Sequence, residues 1–194
     1  MKASTTGDFN TSIGMSSLAL HETADGNTAV GACSMANTTT GASNVAVGYL
    51  SLDVNTTGAC NIAVGRGSLG ANTTASHNTV VGDLAMAANT TGCRSVAVGS
   101  NSLIANTTGK QNEAIGYYAM CSNTEGGCNI ALGSALGANT TGGNNVGIGF
   151  IALSNNTTAD DNTAVGRSAL QENTTGHSNA VSYTHLTLPT IYSV

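Results

Sequence analysis

The sequence predicts an all-β fold: a parallel β-solenoid of about ten 17-residue coils. Three observations carry that prediction. A glycine closes the phrase Asn-x-Ala-Val-Gly, or a close variant, at Gly14, Gly31, Gly48, Gly65, Gly82, Gly99, Gly116, Gly133, Gly149 and Gly166. All nine spacings are 17 residues except the 16 between Gly133 and Gly149. Aliphatic residues recur in fixed register between those glycines, and a unit this short buries its apolar side only by stacking on its neighbours.

With the glycine as position zero, position −4 is Asn in nine of ten repeats, Ser95 being the exception. Position −2 is small, as at Ala29, Ala46, Ala63 and Ala97, with Ser12, Val80 and Gly147 as variants. Position −1 is branched aliphatic throughout, from Ile13 and Val30 to Ile148 and Val165. Alternate residues of a strand face opposite sides, so −1 and −2 point apart. The larger −1 residues, together with Leu or Met at +4 (Leu18, Met35, Leu52 and so on), are expected to fill the coil. The small −2 residues are then expected to face outward, where Ala and Gly admit a second backbone. That reading makes copies of the chain pack on the −2 face, the alternative being a tight corner inside one coil. Leu136 takes the +4 role in the shortened repeat, which places the deletion in the turn after Gly133.

The second half of the coil reads Asn-Thr-Thr-Gly, as at Asn55 to Gly58 and Asn106 to Gly109. Asn and Thr bond to nearby backbone in turns, and Gly supplies positive φ. In-register stacking spaces equivalent Asn residues about 4.8 Å apart, the spacing of amide ladders, and makes a rod roughly 50 Å long.

Composition excludes several classes. The net charge is −5, with only five Lys and Arg residues, scattered along the chain, which is no nucleic-acid footprint. No apolar run reaches the roughly 20 residues of a membrane span, and no secretion signal opens the chain. Cys33, Cys60, Cys93, Cys121 and Cys128 are odd in number and mostly out of phase, so they suggest neither a disulfide framework nor a zinc site. The chain opens in mid-repeat at Ser4 to Asn10, so a longer parent array is expected. Native phase holds through Asn179 or Ala180, giving an array over residues 1–180. The next glycine would be residue 183, which is Tyr183. Residues 181–194, with the only proline of the chain (Pro189), resemble a translated sequencing-library adapter and are read as a non-native tail.

Asn61-Ile62-Ala63-Val64-Gly65 and Ser95-Val96-Ala97-Val98-Gly99 resemble the head repeats of trimeric autotransporter adhesins. That resemblance implies a left-handed β-roll with three chains about one axis. Asn162-Thr163-Ala164-Val165-Gly166-Arg167-Ser168-Ala169-Leu170, continued by Asn173-Thr174-Thr175-Gly176, is closer to the NTAVG-x-x-AL-x-x-NTTG repeats of phage tail-fibre and tailspike proteins. In those proteins such an array often precedes a self-cleaving chaperone domain that trimerises the fibre. The resemblance covers residues 4–180. It implies a homotrimeric structural shaft on a virion that supports host attachment, or else a segment of a bacterial surface adhesin outside the cell.

Chemistry is sparse. Asp8, Asp25 and Asp160 share one phase and are weighed as a loose Ca²⁺ site against solvated turn carboxylates; the latter is favoured, and no metal or cofactor is assigned. His21, His77 and His177 differ in phase, serines recur at +3 as scaffold, and no phosphate loop is present, so no enzyme is expected. The sequons at Asn72 and Asn106 are by-products of the turn. Position +1 varies freely, which marks an outward site. Tyr49, Tyr117, Tyr118 and Phe150 are therefore candidate contacts for a host glycan or protein. Rows of Thr at Thr56, Thr73, Thr90 and Thr107 leave an ice-binding solenoid as a minor alternative.

Overall fold

A computed structural model describes residues 7–182. It is one eleven-stranded parallel sheet running from β1 (Thr11–Ile13) to β11 (Ala180–Val181), its strands in chain order. Each coil contributes one strand of three residues, the last of two, and among the described residues there is no helix. Register follows the repeat: Val45, Ala46 and Val47 pair with Ile62, Ala63 and Val64. The other walls of the coil are turns, joined coil to coil by backbone bonds such as Leu69 N–H to the Ala85 carbonyl (3.1 Å) and Thr90 N–H to that of Thr107 (3.0 Å).

The strand faces are the reverse of the sequence expectation. Position −2 is inside: Ala29, Ala46, Ala63, Val80, Ala97, Ala114, Ala131 and Ala164 have no exposure. They pack with Leu or Met at +4, from Leu18 to Leu153, in one continuous core. Position −1 points out, with Ile115 43% and Val81 38% exposed. The reason is volume. A large residue on one wall faces a small one on the other, which fills a narrow coil; Val80 is the one larger aliphatic side chain admitted at −2 of the ten repeats.

The shortened repeat confirms that pairing. Ser134 keeps the +1 role, its carbonyl accepting Ile151 N–H, while Ala135 takes the +3 role and accepts Met120 N–H. The missing residue is therefore +2. On the following coil Gly147 replaces the usual Ala, and a Cβ there would stand 3.2 Å from Leu136 Cγ and from Ala135 Cβ. The deletion and the loss of the methyl compensate one another.

Coils of full length turn through left-handed backbone at +2, +4 and +12, mostly on residues other than glycine; Leu103 at +4 has φ of 50°. Such a residue costs about 1–2 kcal/mol; at +4 the cost is offset by placing the Leu or Met side chain in the core. The repeat glycine lies where only glycine is comfortable, with φ of 136° at Gly65. A Cβ there would also sit 2.3 Å from the Gly82 carbonyl oxygen. The glycine of Asn-Thr-Thr-Gly is different. Gly58, Gly92, Gly109 and Gly142 are not in the left-handed region, contrary to the expectation for that turn. They serve close approach instead, a Cβ on Gly92 falling 2.3 Å from the Gly109 carbonyl oxygen.

Two amide ladders run through the interior, with the Ser95 hydroxyl standing in for an amide in the −4 ladder, where it accepts Asn112 N–H. In the +7 ladder Asn72 Nδ2 donates to Asn55 Oδ1 (2.9 Å) and to the Ala75 carbonyl (3.1 Å), and the pattern repeats through Asn89, Asn106, Asn123, Asn139 and Asn156. In the −4 ladder the Asn61 backbone N–H donates to Asn44 Oδ1 (2.9 Å), while Asn61 Nδ2 crosses the coil to donate to the Ala75 carbonyl (2.8 Å). These bonds let Asn be fully buried, since each polar atom stays paired. His21 and Thr38 replace the first two members of the +7 ladder. His21 Nδ1 and Thr38 Oγ1 are the buried side-chain atoms left without a partner among the described residues. At the other end, Val181 occupies position −2, pairs with Ala164 and packs on the core. The strand thus runs one residue past the phase boundary at 180; the rest of the expected tail beyond Ser182 lies outside the described residues.

Candidate contact surfaces

Three surfaces of the rod are distinct: the outward sheet face, the +1 edge beside it, and the Thr turn. The sheet face carries two rows, −3 and −1, that project away from the core. The −3 row reads Thr11, Thr28, Val45, Ile62, Thr79, Val96, Glu113, Ile130, Val146, Thr163, and the −1 row is wholly aliphatic. Ile62 is 41% exposed, and Ile13 and Val165 are exposed as well. β-Branched side chains suit a pleated surface, yet a strand apolar on both faces is normally covered on both. This apolar face is missed by the sequence reading because strict alternation shows that two faces exist without saying which is inside.

On the +1 edge, Tyr49, Tyr117, Tyr118 and Phe150 are all exposed. Tyr117 and Tyr118 lie edge to face with ring centroids 4.5 Å apart. Phe150, two coils further on, sits under the Arg167 guanidinium at 5.9 Å, a cation–π contact. Tyr49 stands apart from them, four coils or about 19 Å from Tyr117. Between these groups Arg66 and Asp83, at +1 of adjacent coils, form a 2.8 Å ion pair. Both are largely solvated, so the pair adds little to stability.

The acidic residues in the turn before position −4 cap the backbone. Asp25 Oδ1 accepts Asp8 N–H (2.7 Å), and Asp160 Oδ1 accepts Gly143 N–H (2.6 Å). His177 Nδ1 accepts Asp160 N–H (2.8 Å) in the same way. Each carboxylate thus has one oxygen committed to the coil beneath it. Among the described residues no three His, Cys, Asp or Glu side chains are grouped to hold a metal ion. All five cysteines are free thiols.

The Thr rows divide in two. Thr56, Thr73, Thr90 and Thr107 are half-buried, and each hydroxyl donates to the backbone carbonyl of the next Thr in the row at 3.0–3.3 Å. They stitch coils together. The following residues, Thr57, Thr74, Thr91 and Thr108, are exposed on the turn, and Glu125 interrupts their row.

The fold and its surfaces define a parallel β-solenoid rod with one apolar side. In comparisons the chain matches no family model, no curated protein and no solved structure. Among the described residues no helix is long and apolar enough to cross a membrane.

Proposed function

We propose that this chain is a structural shaft segment of a phage tail fibre or tailspike. In this reading it self-associates as a homotrimer and holds a host-binding tip away from the virion. The observation that carries the proposal is the outward sheet face, two rows of mostly β-branched side chains running along ten coils with Glu113 as the one charged member. A strip of ten steps at about 4.8 Å by three residues at about 3.3 Å has a flat footprint of roughly 480 Å². Three such strips meeting about one axis total roughly 1,400 Å², shared among three pairwise contacts, and side-chain relief adds to it. Charge along the face is almost nil, so copies meet without repulsion. The repeat likeness to phage fibres supports the virion setting. The parallel likeness to trimeric adhesins makes a bacterial cell surface the second setting for the same rod. In either setting the role is mechanical, with Tyr49, Tyr117, Tyr118 and Phe150 left free at the +1 edge for a host glycan or protein.

Sedimentation equilibrium of the full chain tests the association, with two substitutions that separate fold from assembly. Val98→Asp, on the outward row, is expected to keep the β circular-dichroism spectrum and yield a monomer. Ala97→Asp, buried one residue earlier, is expected to unfold the coils around it, because an unpaired interior carboxylate costs several kcal/mol. A wild-type chain that stays monomeric at high concentration refutes the shaft reading. Long-read sequencing of the parent DNA past Ala180 separates the settings: a chaperone-type domain indicates a phage fibre, and a membrane-anchor β-barrel an adhesin.

A further inference from the structure

We propose that Glu113 makes self-association of the rod pH-dependent, strengthening it as pH falls. The inference rests on the reading of the outward sheet face as the surface between copies. Glu113 opens β7 (Glu113–Ile115) and stands in the −3 row between Val96 of β6 (Val96–Val98) and Ile130 of β8 (Ile130–Leu132). Every other outward position of the first ten strands is Thr, Val, Ile or Leu. Glu113 is the single ionisable side chain on a face otherwise built to be covered.

In the free rod its carboxylate forms no ion pair with any described residue. Glu113 is exposed, and among the described residues the ion pairs are Arg66–Asp83 and His177–Asp160, neither of which involves it. β6 and β8 present only Val96, Val98, Ile130 and Leu132 on this face. The charged and titratable groups flanking it are Arg94, Lys110 and Cys128 on the turns that lead into β6, β7 and β8, and Tyr117 beyond Ile115, all exposed to solvent. None lies within ion-pairing distance of the carboxylate. A free rod tolerates this arrangement because water solvates the charge.

Covering the face removes that water. The occupant is further copies of this chain, argued from the length of the apolar strip and its near absence of charge. Parallel copies related by a rotation axis bring equivalent residues to the same height, so each Glu113 faces those of its partners. Desolvation and like charge both favour the neutral acid in the assembly. The assembled form consequently binds more protons. Association strengthens as pH falls through the carboxylate range and weakens as it rises, by up to about tenfold per pH unit for each carboxylate that takes up a proton. The carboxylates of one assembly titrate as a coupled set.

The test is sedimentation equilibrium of the full chain from about pH 4 to about pH 8, for wild type, Glu113→Gln and Glu113→Asp. Circular dichroism on each sample verifies that the coils remain folded. The expected result is an association constant that falls with rising pH in wild type and Glu113→Asp. Glu113→Gln should assemble at neutral pH as tightly as wild type does in acid, with a flat profile. Equal pH profiles for wild type and Glu113→Gln overturn the role of Glu113 while leaving the shaft reading intact. Monomers of all three proteins at every pH overturn both, and show that the face serves a different partner.

Discussion

Asn106 is the place to test whether the buried amide ladder holds the rod together. Its side chain has no exposure. Nδ2 donates to Asn89 Oδ1 at 2.9 Å and to the Gly109 carbonyl at 3.1 Å, and Oδ1 accepts from Asn123 Nδ2 at 2.9 Å. Asn106→Ala removes all three bonds. At about 1 kcal/mol net apiece the loss is about 3 kcal/mol. Asn89 Oδ1 is then buried without a donor, which brings the total to roughly 3–5 kcal/mol. Against the 5–15 kcal/mol stability typical of a folded domain, that is a large change. In a solenoid the damage is local, since each coil touches only its neighbours. Urea unfolding followed by circular dichroism should show the lower stability. Native-state hydrogen exchange should place the loss of protection in the coils between Asn89 and Asn123. Thr108→Ala, an exposed neighbour, is the control and should fall within about 0.5 kcal/mol of wild type. If Asn106→Ala matches that control, or protection falls evenly along the rod, the ladder is not what holds neighbouring coils.

Thr38→Asn is expected to stabilise the chain by about 1 kcal/mol, because the new Oδ1 supplies the acceptor that Asn55 Nδ2 lacks at the start of the ladder; Asn55 now donates only to the Gly58 carbonyl at 3.0 Å, and a higher thermal midpoint is the readout. Gly99→Ala should cost at least about 2 kcal/mol, since φ is 128° and its Cβ would stand 2.5 Å from the Gly116 carbonyl oxygen; urea unfolding no weaker than wild type would show that the glycine row tolerates side chains. Burial raises the Asp53 carboxyl above its ordinary value, so its charge opposes folding at neutral pH. That opposition is absent below the unfolded-state pKa and grows as pH rises through the folded value. Asp53→Asn should therefore be the more stable protein at neutral pH, with the difference closing on acidification.

Much of the coil was legible in the spacing. A period of 17 with Asn at −4 and +7 leads to parallel strands in register and to stacked amides, because equivalent residues one coil apart must meet at the strand spacing. The deletion after Gly133 was legible too, since Leu136 kept its place relative to the following Asn-Thr-Thr-Gly. The Thr of that turn was only half understood. Residues such as Thr73 and Thr74 are adjacent and chemically identical, yet one hydroxyl bonds the next coil while the other faces water. Nothing in a Thr-Thr pair distinguishes the two until the turn is built. The candidate aromatics were correctly placed as exposed, whereas the neighbours that meet them, such as Arg167 over Phe150, depend on which coils lie side by side.

By itself the sequence determined the repeat length, the parallel stacking and the chemical identity of every row along the rod. Only the tertiary structure decided which row is core. Alternation assigns −1 and −2 to opposite faces, but both are apolar, and hydrophobicity favours the larger residue inside. The closed coil reverses that preference: with Leu or Met projecting from +4, the remaining space is filled by an alanine in most coils. The Val and Ile side chains are therefore left on the surface, where burying them requires another chain.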